Sequence, residues 1–192
     1  MRRLLRLDGG QSLLEFALVV PLIMMLALGV IEASYAILDQ HVVTKLTREG
    51  SNLISRDTTI DDAVAAIKNM STRPVNFNDG SSKVIFSVIK RVGTVGASNY
   101  DRDIIYQRFE YGSLAKTSAL QFSGGSFGGG PDYVASNSDN NTSLQVTNLP
   151  PNLTTLGGML YVTEIYTRHT LITPLNRFGI SMPDTLYSIA YF

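Results

Sequence analysis

The chain predicts an α+β fold from three observations: a long apolar stretch near the N-terminus that runs on into a helix-periodic segment, a second and shorter helical pattern, and a switch to period-two runs of β-branched and aromatic residues after Pro74. Its 192 residues are one domain's worth of chain, 44% hydrophobic and 17% charged, where roughly a quarter charged is usual. Sixteen Lys+Arg balance sixteen Asp+Glu, so there is no net basic field to hold phosphates, and nucleic acid is not an expected partner. The absence of cysteine excludes disulfides, thiolate metal sites and a cysteine nucleophile. With His41 and His169 the only histidines, a His-rich metal centre is excluded too, and no cofactor is expected.

The first element is the apolar block. Sixteen consecutive uncharged residues, FALVVPLIMMLALGVI, lie between Glu15 and Glu32, and the apolar character extends from Leu13 to Leu38. As a helix, 13 to 38 would span roughly 38 Å, enough for a hydrocarbon core of about 30 Å. Arg2, Arg3 and Arg6 precede it, and Glu32 and Asp39 follow. The positive-inside bias therefore puts the N-terminus in the cytoplasm and residues 39 to 192 outside. A cleaved secretory signal is the competing reading, but the run is long for one and Ala33, Ser34 and Ala36 make a poor cleavage site.

A carboxylate at the edge of hydrocarbon is costly, so Glu15 needs a compensating partner. The stretch GQSLLEFALVVPLIMMLALGVIE, residues 10 to 32, resembles the N-terminus of the TadE-like minor pilins and pseudopilins of the tight-adherence (Flp-type) pilus system. The resemblance implies a prepilin peptidase as partner, cutting between Gly10 and Gln11. It also implies a leader at 1–10, a transmembrane helix at 11–38, a pilin-like head at 39–192, and Glu15 as the fifth-position assembly carboxylate. The amine freed at Gln11 would lie one helical turn from Glu15, where the two charges can neutralise one another within or between subunits. Gln at the first position departs from the Phe of major pilins in other type IV systems. The Gly9-Gly10 pair would allow a cut one residue earlier, but only cutting after Gly10 puts Glu15 fifth. Other pilins or pseudopilins and the inner-membrane platform of the pilus are the further partners implied, with a single-pass location in the bacterial inner membrane. The alternative is an unprocessed, membrane-anchored binding module.

Pro21 removes one helical hydrogen bond, and a kink or local unwinding at Ala17 to Pro21 is expected, whether to bend the helix toward a filament or merely to shape it. Gly29 and Ala33 are a small-xxx-small pair, a weak signal of helix approach. Glu32 is expected near the outer interface, reached by water and cheap to neutralise. Beyond it Leu38, Val42, Leu46 and Leu53/Ile54 keep helical spacing, with Asp39, Lys45, Arg48 and Glu49 facing away.

The second helix is signalled by Thr59-Ile60-Asp61-Asp62, a capping-box-like start, then Ile60, Ala63, Val64, Ile67 and Met70 on one face and a stop near Arg73-Pro74. KVIFSVIKRV (83–92), IIYQRFEY (104–111), MLYVTEIYTRHTLI (159–172) and DTLYSIAYF (184–192) read as about four antiparallel strands. Between them SGGSFGGGPDYVASNSDNNTS (123–143) has the composition of a solvated loop. It lacks the Lys-Ser/Thr of a phosphate loop. Asp132, Asn137, Asp139, Asn140 and Asn141 offer oxygens to calcium without the spacing of an EF-hand. No hydrolase motif surrounds His41 or His169, and no enzyme is expected.

Overall fold

A computed structural model describes residues 8–180 and 183–192. Arg2, Arg3, Arg6 and the rest of 1–7 lie outside the described residues. The elements are two helices, α1 (Asp8–Ile54) and α2 (Ile60–Met70), and four strands, β1 (Ser82–Arg91), β2 (Asp103–Tyr111), β3 (Met159–Arg168) and β4 (Thr185–Tyr191). The strands form one antiparallel sheet in the order β2-β1-β3-β4, so the α+β expectation holds.

The chain divides into two compact units. The larger comprises Asp39–His169 and Asp184–Phe192. Its sheet alternates in the ordinary period of two. Val84, Phe86 and Val88 of β1 and Ile165 of β3 pack with Val43, Leu46 and Ile54 of α1 and with Ile60, Ala63, Val64 and Ile67 of α2. The second helix starts where its sequence directs: the Thr59 hydroxyl accepts the Asp62 amide at 3.2 Å and donates to the Asp62 carboxylate at 2.7 Å. It ends at Met70, before Arg73-Pro74, and Met70 itself is largely exposed rather than on the buried face.

Close approach of α1 to the sheet depends on Gly50, where an added Cβ would lie 2.7 Å from Thr163 Cγ2 and 3.1 Å from Phe86 Cε1. Two side chains of α1 also reach backbone of β4: Gln40 Nε2 donates to Tyr187 O and Ser51 Oγ to Ala190 O, both at 3.0 Å. Asp39 does not face away as expected, since its carboxylate lies 3.0 Å from Nδ1 of the buried His169.

The opposite sheet face is also covered. Ile89, Ile105, Leu160 and Val162 pack there with Leu120, Phe122, Phe127, Val146 and Leu149, and a separate cluster joins Val92 and Ile104 to Ala135 and Leu144. The segment at 123–143 is irregular and mostly exposed, as expected of a solvated loop, with Phe127 and Ala135 tucked into these clusters. It is joined to β2 by Arg108 N–H donating to Tyr133 O (3.2 Å) and Ala135 N–H donating to Tyr106 O (2.7 Å). The apolar gain from closing this face outweighs the weak local propensity of the covering chain.

The smaller unit comprises the described part of residues 1–38 together with Thr170–Pro183. The third strand thus stops at Arg168 rather than continuing to Ile172. The chain leaves the sheet there, makes a short 3₁₀ turn at Pro174–Phe178 closed by Gly179 at φ 77°, and returns to β4.

Candidate functional site

The N-terminal half of α1 carries the residues singled out by sequence. Leu13, Leu14, Phe16, Leu18, Leu22, Ile23, Met24 and Leu26 are all exposed, Leu13 at 73%. At 100° per residue these positions encircle the helix, so no single stripe faces a core. An apolar surface on every side suits an apolar solvent, and among the described residues this is the one helix long and apolar enough to cross a membrane.

Gly10 lies in the first turns of α1, and a Cβ added there would meet nothing within 4 Å. Among the described residues nothing therefore requires glycine at this position. Glu15 follows on the same helix, exposed. Pro21 sits inside α1, and the helix is continuous across Ala17 to Pro21 without unwinding. Gly29 likewise has no neighbour within 4 Å of an added Cβ, so its small size serves no contact among the described residues.

Glu32 differs most from its expectation. It is fully buried, and its carboxylate accepts the Ile172 amide (3.1 Å to each oxygen), the Thr173 amide (2.8 Å) and the Thr173 hydroxyl (2.6 Å). Water does not neutralise this group; three convergent donors replace the hydration it gave up. Thr173 immediately precedes the 3₁₀ turn, yet its hydroxyl makes no capping bond there because it is committed to Glu32. No local signal in the sequence announces a bond spanning 140 residues.

A second buried carboxylate, Glu164 of β3, gathers a polar cluster on the far sheet face. It accepts from the Ser118 hydroxyl, from the Ala119 amide at 2.7 Å, and from the hydroxyls of Tyr166 (3.3 Å) and Tyr187 (3.2 Å). The two rings stack with centroids 4.5 Å apart. Burial, and then the Glu164 charge, push the Tyr166 phenol up to about 12 and raise Tyr187 as well. The arrangement fastens residues 118 and 119 to the sheet, and every oxygen contact in it belongs to the fold.

Of the oxygens considered for calcium, Asp139 is occupied by Lys90 Nζ at 2.8 Å and the Thr94 hydroxyl at 2.9 Å, and the Lys90 hydrogen bond holds its carboxyl below the ordinary range. The Asn141 side chain accepts the Ser143 amide. Among the described residues no group of three or more His, Cys, Asp or Glu is placed to hold a metal.

No curated protein and no solved structure matches the chain. Residues 10–52 match the family model described as TadE-like protein. That family is structural rather than enzymatic, and the match supports involvement in the tight-adherence pilus system. The matched segment runs from the glycine in the first turns of α1 to the turn packed against Thr163 and Phe86, and over it the chain is TadE-like.

Proposed function

We propose that this protein is a minor pilin or pseudopilin of a tight-adherence, Flp-type pilus, supporting its assembly or initiation and hence surface adhesion. The observation that carries the reading is the TadE-like match over 10–52, coincident with a helix whose N-terminal half exposes apolar surface all round. In this reading α1 anchors the protein once in the bacterial inner membrane, N-terminus in the cytoplasm. A prepilin peptidase removes residues 1–10 by cutting between Gly10 and Gln11. The freed amine and Glu15 then face one another across one turn, or across a subunit boundary, and each offsets the other's charge in lipid. Pro21, within the span, lets the helix bend as it passes from the bilayer into an assembly of pilins on the inner-membrane platform.

Gly10 gives the cleanest test, because a Cβ added there meets none of the described residues within 4 Å. Gly10→Leu is expected to insert normally and retain the leader, a mass difference of ten residues read by intact-mass measurement. Glu15→Gln is expected to be cleaved and inserted like the parent and to fail in piliation. A product of unchanged mass from Gly10→Leu, with parental piliation by Glu15→Gln, would return the protein to an unprocessed anchored module.

A further inference from the structure

We infer that residues 170–180 form an interfacial foot, which rests on the phospholipid surface beside α1 and sets the outer membrane boundary at Glu32 rather than at Leu38. The inference rests on the reading of α1 as a membrane anchor. Its starting point is the Glu32 site, where the carboxylate holds Ile172 and Thr173 against the helix. An irregular segment with lipid-exposed backbone does not survive in hydrocarbon, so the apolar core must end at about this level. Leu13 to Ile31 would be roughly 28 Å of helix, which still spans a core of about 30 Å.

The foot has the chemistry of the layer just outside. Ile172 and Ile180 are exposed at 46% and 39%, while Leu175 between them is buried. Four amides that would otherwise need water have partners: Ile172 and Thr173 on Glu32, Gly179 on Asn176 O at 3.2 Å, and Ile180 on Leu175 O at 3.3 Å. A segment with these four amides satisfied internally and with Ile172 and Ile180 turned outward is suited to a poorly hydrated interface. Arg177 is exposed in the same stretch, and its long cationic side chain reaches phosphate while apolar neighbours sit deeper. Tyr35, three residues beyond Glu32 and 44% exposed, is the residue type enriched at this level of a membrane.

The chain has no tryptophan, so single tryptophans report their own depth in the full-length protein reconstituted in vesicles of zwitterionic and anionic phospholipid. Ile172→Trp and Ile180→Trp replace exposed side chains, and Leu22→Trp marks the span. Lipids brominated near the headgroup end of the acyl chain should quench both foot positions, and those brominated near the chain terminus should quench Leu22→Trp. The foot positions should emit at shorter wavelength in vesicles than a water-exposed indole and lose much of their quenching by aqueous acrylamide. Free acrylamide access and no bromine quenching at both foot positions, with Leu22→Trp still quenched by deep bromine, would overturn the foot and leave the anchor standing. Loss of quenching at Leu22→Trp as well would remove the anchor reading on which it rests.

Discussion

Glu32 and Thr173 are joined twice, since the same carboxylate oxygen accepts the Thr173 amide at 2.8 Å and its hydroxyl at 2.6 Å. Replacing Glu32 by alanine leaves buried donors with no acceptor, each worth about 1–3 kcal/mol. Glu32→Gln keeps the volume but turns one acceptor into an NH₂ that opposes the same donors. Amide exchange at Ile172 and Thr173 should therefore accelerate strongly in Glu32→Gln, and more in Glu32→Ala. Exchange in β1, within the other unit, should stay at the parental rate. Thr173→Val, which loses only the hydroxyl bond, should lie between parent and Glu32→Gln. Unchanged exchange at both amides in Glu32→Ala would show that the carboxylate does not hold the segment.

The contact of Gly50 with Thr163 makes a second prediction, read by thermal unfolding. Alanine gains up to about 1 kcal/mol of helix propensity over glycine, yet its methyl would lie 2.7 Å from Thr163 Cγ2. Overpacking costs of about 1–3 kcal/mol exceed that gain, so Gly50→Ala should lower the melting temperature and Gly50→Leu lower it further. Combining Gly50→Ala with Thr163→Ser removes the facing methyl and should recover part of the loss. A Gly50→Ala variant more stable than the parent would mean that α1 shifts to make room.

Alkaline titration tests the cluster around Glu164. Burial and the neighbouring carboxylate raise Tyr166 to about 12 from an ordinary value near 10. A group whose folded value is raised contributes stability that is complete below its unfolded value and is lost as pH climbs through the folded one. Stability should accordingly fall between roughly pH 10 and 12. Phenolate absorbance should show Tyr166 and Tyr187 ionising after the exposed tyrosines. Glu164→Gln removes the charge and keeps an acceptor, and should bring both tyrosines down toward the ordinary range. Simultaneous ionisation of all nine tyrosines in the folded parent would contradict the burial assigned to this pair.

Much of the α+β frame is local and therefore legible. Thr59 and Asp62 mark the start of α2, and the strand runs are rich in Val, Ile, Phe and Tyr at alternating positions. The cover of the far sheet face is different, because Leu120, Phe122 and Phe127, and Leu114 against Ile85 and Tyr166, follow no period and are recruited by a surface formed elsewhere. One signal for it exists: Val84, Ile85, Phe86, Val88 and Ile89 make β1 apolar on both faces, which a strand with one wet face would not be. Gly10, Glu15 and Pro21 stand out by residue type against an apolar run. The partners of Glu32 do not, since a carboxylate closing a hydrophobic segment reads as interfacial until a distant stretch is found folded onto it.

Polymer statistics give the Thr170–Pro183 excursion a further meaning. His169 N–H donates to Asp184 O at 2.9 Å, so the excursion is a 14-residue insertion in an otherwise continuous hairpin, with its two ends held side by side. Closing a loop of that length instead of a two-residue turn costs only roughly 2 kcal/mol more, because the penalty grows with the logarithm of length. The register of β3 against β4 is thereby insulated from what the insertion contains. Lengthening, trimming or rewriting it away from the Ile172-Thr173 contact with Glu32 changes only a logarithm, while the sheet that carries it keeps every ladder bond.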